Sequence, residues 1–156
     1  MLQSGKHCQN GFSLLELIIV MAIMALGFAF VAPNFARTLD GVRFKSAVRE
    51  IASGLRQTRG IALSQTKEAV FFVDVEERIY RVDQRGKTHS LPKSLELTLE
   101  TSESEMTGPN QGNIRFFPDG SSTGGRIILK WGNRKRRVDI NWLTGRVTLG
   151  DVNEDV

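Results

Sequence analysis

The chain has a single cysteine, Cys8, and only two histidines, His7 and His89. One thiol cannot close an intrachain disulfide, so stability has to come from packing. The same scarcity leaves no recognised zinc-ligand spacing, and no metal is expected. Neither sign of charge dominates: 21 Lys and Arg stand against 17 Asp and Glu, a formal +4, which does not call for a nucleic-acid partner. His89 has no acidic partner at an interpretable spacing, which removes the triad type of hydrolase, and no enzyme activity or cofactor is expected. No repeat and no low-complexity tract interrupts the chain. With 40% hydrophobic and 24% charged residues, the composition is that of a folded protein.

One apolar run stands out against this background. Residues 12–32, FSLLELIIVMAIMALGFAFVA, contain just two polar side chains, Ser13 and Glu16. As a helix the run spans about 30 Å, the thickness of a bilayer's hydrocarbon core. A carboxylate at mid-membrane costs about 2.5–3.5 kcal/mol, so Glu16 requires a partner or a shallow position and is a functional candidate. The segment before the run, MLQSGKHCQNG, is short and polar, and no small-x-small cleavage site follows the run. A secretory signal is cut after its apolar region. Here the plausible processing point, Gly11, precedes it, so the hydrophobic helix would stay on the mature chain.

Gly11, the apolar Phe12 and Glu16 at the fifth position from Phe12 resemble the prepilin motif of the type IV pilin and pseudopilin superfamily, and Pro33 falls where that family often has proline. The resemblance implies a membrane prepilin peptidase that cuts between Gly11 and Phe12 and N-methylates Phe12. It also implies that Glu16 of one subunit neutralises the terminal amine of a neighbour and sets register during assembly.

Beyond Pro33, where a kink is expected, Phe44, Val48, Ile51, Ala52, Leu55 and Ala62 recur at three- and four-residue intervals. Arg49, Glu50, Ser53, Arg56, Gln57 and Arg59 fill the other face. This predicts an amphipathic helix ending near residue 65. Gly41, Gly54 and Gly60 each cost about 1 kcal/mol relative to Ala there, which points to close packing or bending. From Ala69 the period shortens toward two: AVFFVDV, RIYRVD and LELTLE read as strands, with turns at 76–77 and 83–86. Residues 101–112, TSESEMTGPNQG, have no apolar period and read as a mobile loop whose Glu103 and Glu105, with Glu100 just before them, could dock a basic partner. In the remainder, Ile114/Phe116, Ile127/Leu129/Trp131, Val138/Ile140/Trp142 and Val147/Leu149 each face one side, which predicts a four-stranded antiparallel meander.

Several polar groups have local explanations. Asp119, Gly120, Ser121, Ser122 and Thr123 are turn chemistry. Asp151, Asn153 and Asp155 resemble the start of a calcium loop but lack its closing Glu, so they read as an acidic disordered tail. Arg134, Lys135, Arg136 and Arg137, between Trp131 and Trp142, could hold DNA phosphates, although a solvated hairpin tip accounts for them more simply.

FFPDGSSTGGRIIL followed by VDINWLTGRVTLG is similar to the GspH/FimT group, the H-type minor pseudopilins of type II secretion and related minor pilins of type IV pili. Together the two resemblances imply an α+β, pilin-like fold: a long N-terminal helix, half transmembrane and half amphipathic, packed on an antiparallel β-rich domain. The expected layout is a leader (1–11), a transmembrane helix half (12–36), a periplasmic domain (37–150) and a tail (151–156). The expected role is a structural subunit of the type II secretion pseudopilus, single-pass in the inner membrane of a Gram-negative cell. Its implied partners are the major pseudopilin, the other minor pseudopilins, the prepilin peptidase, the inner-membrane secretion platform and membrane lipid. The alternative is a FimT-like minor pilin that binds DNA for natural transformation.

Overall fold

The computed structural model describes residues 13–83 and 86–152, those of 29–40 by backbone alone. The chain divides into two compact units, Met1–Gly41 and Val42–Val156. Helix α1 (Leu14–Gln65) supplies the described part of the first and opens the second. Its backbone is helical at Pro33, whose side chain lies outside the described residues. The helix stops at Thr66, which takes the left-handed conformation (φ 53°) while Lys67 N–H donates to the Ala62 carbonyl at 3.3 Å. That arrangement satisfies a terminal carbonyl and turns the chain away.

From Val42 on, α1 buries the apolar stripe expected of it. Phe44, Ala47, Val48, Ile51, Ala52, Leu55 and Ala62 are covered, while Arg49, Glu50 and Arg56 are exposed. Gly54 is there for close packing: a Cβ on it would lie 2.8 Å from Phe71 Cε2. Gly60 faces open space, so close packing does not explain it.

The strands form two antiparallel sheets. The first has the order β3-β2-β1-β6-β5 and comprises β1 (Ala69–Asp74), β2 (Ile79–Val82), β3 (Thr88–Ser90), β5 (Met106–Gly108) and β6 (Gln111–Phe116). The second has the order β4-β7-β8-β9 and comprises β4 (Glu96–Glu100), β7 (Gly125–Trp131), β8 (Arg134–Ile140) and β9 (Val147–Asp151). Phe71, Val73, Ile114 and Phe116 from the first sheet join Ile127, Leu129, Val138, Ile140 and Val147 from the second and the helix stripe in one hydrophobic cluster. Residues at period two in strands thus meet residues at period 3.6 in the helix, the layered solution for an α+β domain.

Four expectations need correction. The Ile114/Phe116 strand is not the first member of a C-terminal meander: β6 pairs with β1, Phe71 opposite Ile114, and β4 takes its place beside β7. Short-range alternation shows which face a strand buries but not which strand it pairs with, and Gly124 and Gly125 (φ 73° and 141°) carry the chain from one sheet to the other. Residues 101–112 are not a mobile loop. They hold a 3-10 turn (Glu103–Glu105), β5 and the start of β6. Glu105 is 7% exposed and ion-paired with Arg115 Nε at 2.9 Å, an anchor that an apolar-period reading cannot register. Trp142 does not continue the Val138/Ile140 face, because β8 ends at Ile140 and the chain turns at Asn141, which leaves Trp142 66% exposed. Finally, Asp151 is not tail but the last residue of β9, paired with Arg136 at 2.7 Å; Asn153 and Asp155 lie outside the described residues.

Candidate assembly site

Gly11 and Phe12 lie outside the described residues, which begin at Ser13. Ser13 caps α1: Leu17 N–H donates to its carbonyl and Glu16 N–H to its Oγ, both at 3.2 Å. Ser13 and Glu16 have the spacing of a capping box, of which this is one half, a signal legible in SLLE that the motif reading passed over. Glu16 therefore sits in the first turn of α1, where the positive end of the helix dipole favours a carboxylate by about 0.3–1 kcal/mol. The same geometry leaves its carboxylate without a described partner.

Between Leu14 and Phe28 the helix carries no polar side chain except Glu16. Leu14, Leu15, Leu17, Ile18, Ile19, Val20, Met21, Ile23, Met24, Leu26 and Phe28 are all exposed, from 43% at Val20 to 77% at Leu14. A helix apolar on every side is stable when its surroundings are apolar: lipid or other helices. Among the described residues no helical stretch is long and apolar enough to cross a membrane. The described side chains of this run end at Phe28, short of the roughly 20 residues a crossing takes.

The basic run 134–137 lies in β8, directly after the Gly132–Asn133 turn. Strand alternation places Arg134 and Arg136 on the Val138 side and Lys135 and Arg137 on the opposite side, so the four do not form one basic surface. The Arg134 guanidinium lies 5.7 Å from the Trp131 ring centre, and Arg136 is held by Asp151. Arg137 Nε is 3.1 Å from Asp139 Oδ2, an ion pair whose angle falls short of a hydrogen bond. Asp139 also takes Arg126 Nε at 2.6 Å, and this contact raises the Arg126 pKa further above its already high usual value. Neighbouring carboxylates thus already compensate several of the charges a nucleic acid would use.

The remaining candidates have structural roles. Asp119 Oδ1 accepts from the Ser121 hydroxyl and N–H, which lowers its pKa and closes the turn. Ser122 Oγ donates to the Asn141 carbonyl, tying this turn to the one after β8. His89 stacks on Tyr80 with ring centres 5.0 Å apart. Arg115 was not singled out in the sequence, yet it bridges Glu105 and Glu68, the latter at 2.8 Å. Only the pairing of β6 brings those three together.

Two family models match the chain: the prokaryotic N-terminal methylation motif over residues 6–32 and the type II transport protein GspH over residues 47–145. A curated relative, type II secretion system protein H of Xanthomonas campestris pv. campestris, is 38% identical over 142 residues, which span 90% of this chain and 83% of that protein. Among solved structures, the minor pseudopilin EpsH of the Vibrio cholerae type 2 secretion system matches at TM-score 0.55 and 16% identity, covering 70% of this chain and 98% of EpsH. The type IV minor pilin FimU of Pseudomonas aeruginosa matches at TM-score 0.54 and 14% identity, covering 71% and 90%. At such identities the two structures speak to the fold, which secretion and pilus proteins share.

Proposed function

Because the chain belongs to the GspH family of type II transport proteins, we propose that it works as a minor pseudopilin, a structural subunit at or near the tip of the type II secretion pseudopilus. In that place it helps export folded exoproteins across the outer membrane. The observation that carries this reading is the pairing of a methylation-motif N-terminus with a GspH domain on a chain whose described N-terminal helix exposes apolar side chains on every side.

The mechanism follows from solvent. Residues 12–32 rest in the inner membrane as a single pass, with the β domain in the periplasm. The prepilin peptidase cuts between Gly11 and Phe12 and methylates the new amine. The secretion platform then moves the subunit from lipid into a bundle with the major and other minor pseudopilins, one apolar environment exchanged for another. Burying a lone carboxylate or a lone ammonium is costly, whereas the Glu16 carboxylate against the Phe12 amine of a neighbour neutralises both. The DNA-binding pilin alternative is not favoured. The curated relative is a secretion protein, and Arg136 and Arg137 each face a carboxylate.

Deleting the gene in its host is expected to stop exoprotein release to the medium and to leave DNA uptake unchanged; the opposite pattern would overturn the secretion reading. N-terminal sequencing of the mature chain is expected to start at Phe12, and Gly11→Leu is expected to leave it unprocessed. A start elsewhere would refute the cleavage assignment. Glu16→Ala is expected to leave the chain inserted and folded but absent from partner complexes, and wild-type co-purification with wild-type secretion would rule out the pairing role.

A further inference from the structure

The helix face that carries Arg56 and Arg59, one turn apart, meets the turn after β8. There, Arg56, Arg59, Thr144, Gly145, Arg146 and Val147 line a recess of about 290 Å³. Three arginines line this space and no acidic residue does. Arg56 Nη2 donates to the Val147 carbonyl at 3.3 Å and Arg59 Nε to the Gly120 carbonyl at 3.1 Å. These bonds fix the stems of both side chains and leave their other N–H donors without a partner among the described residues. Arg146 has no described side-chain partner at all. Elsewhere in this domain Arg115, Arg126, Arg136 and Arg137 each face a carboxylate. The charged residues that line the recess are thus all basic, while the carboxylates of the adjoining cleft, Glu100 and Asp139, are both paired with Arg126; an anion entering the recess would accept several charge-assisted hydrogen bonds.

The turn that supplies Arg146 is held by its own hydrogen bonds. Asn141 Oδ1 accepts from Leu143 N–H, Thr144 N–H and Thr144 Oγ1 at 2.9–3.1 Å. Gly145 takes a positive φ of 59°, and a Cβ there would lie 2.3 Å from the Gly120 carbonyl oxygen, so the turn is pressed against its neighbour. This fixed turn holds Trp142 and Leu143 at 66% and 63% exposure. Thr144 and Arg146 also line an adjoining cleft of about 850 Å³ whose wall includes Trp142. An exposed tryptophan on a preorganised turn beside arginines is the composition of a protein-binding hot spot, with little conformational entropy left to lose.

We propose that the Arg56–Arg59–Arg146 recess, with Trp142 and Leu143 beside it, receives a segment of a neighbouring pseudopilin that carries a carboxylate next to a bulky apolar side chain. The carboxylate enters among the guanidiniums while the apolar side chain covers Trp142. A nucleic acid would match the charge, but Leu143 offers it nothing, and the aliphatic and aromatic pair favours a protein partner. The proposal rests on the assembly role above and adds the surface and the chemistry of the contact.

The test uses the full chain, tagged and co-expressed with the other pseudopilins, extracted in detergent and recovered by the tag. Arg146→Glu is expected to lower recovery of a partner pseudopilin by about tenfold or more, with an unchanged thermal midpoint because the residue is exposed. Arg146→Lys is expected to retain most of it, and Trp142→Ala, which leaves all three arginines in place, to lose a comparable amount. Lys93→Glu, an exposed reversal on the β3–β4 connection, is expected to change nothing. Wild-type recovery with either Arg146→Glu or Trp142→Ala overturns the proposal, as does an equal loss with Lys93→Glu. Salt-dependent retention of duplex DNA that Arg146→Glu abolishes while pseudopilin recovery persists also overturns it, in favour of a nucleic-acid site. If the unaltered chain recovers no pseudopilin, the assembly reading itself fails; if the unaltered chain recovers them and the Arg146→Glu chain recovers them equally, only this surface does.

Discussion

Leu55→Ala in a truncated domain starting at Thr38 is expected to lower unfolding free energy by about 2–5 kcal/mol, since Leu55 is fully buried and the change combines lost transfer energy with a cavity. The neighbourhood cannot collapse easily to fill the space. Gly54 is already in close approach to Phe71, and Ile51 and Ala52 are themselves 0% exposed. Truncation is justified because Val42–Val156 is a compact unit by itself. Arg134→Ala serves as the control: exposed beside the hairpin turn, it should change stability by less than about 0.5 kcal/mol. Chemical denaturation decides the matter. Equal midpoints for Leu55→Ala and its parent would show that α1 does not pack on the sheets.

The second large effect is expected at Arg115. Arg115→Ala leaves Glu105 at 7% exposure without its counter-charge, a loss of about 3 kcal/mol, toward the lower end for breaking a buried pair because Arg115 is itself 31% exposed. The diagnostic measurement is a double-mutant cycle with Glu105→Gln. If the loss comes from the orphaned charge, the double variant recovers a good part of it. If Arg115→Ala and the double variant unfold at the same denaturant concentration, the loss comes from packing of the arginine stem instead. The same pair of variants bears on the 101–112 segment, because without the ion pair the turn at Glu103–Glu105 loses its anchor and its amides should exchange faster with solvent.

Arg115 also illustrates what the chain leaves unstated until it folds. Its two acidic partners lie 47 and 10 residues away, one just before β1 and the other in the segment that reads as a loop. No local period links them. The register of β6 against β1, with Arg115 opposite Val70, sets where the arginine lies. The same holds for the recess, where Arg56 and Arg59 are separated from Arg146 by most of the domain and converge because the turn after β8 reaches the helix. The basic run 134–137 is the converse case. In sequence it is the densest positive patch, and in the fold alternation divides it between two faces while Asp151 and Asp139 compensate it in part.

Local periodicity and covalent spacing determined a great deal before any fold existed. The apolar run with Glu16 near its start, the stripe from Phe44 to Ala62, the end of the helix at Gln65 and the buried faces of β7 and β8 all follow from which side chains recur at 3.6 or two residues, because burial is repeated along an element by its own geometry; in β9 only Val147 is buried and Leu149 is 44% exposed. Partition into two sheets, the placement of β4 beside β7, the ordering of residues 101–112 and the exposure of Trp142 were decided only by the tertiary structure. These depend on which elements distant in sequence come into contact, and on where a buried charge such as Glu105 finds its counter-charge, and neither quantity is carried by a residue's neighbours along the chain.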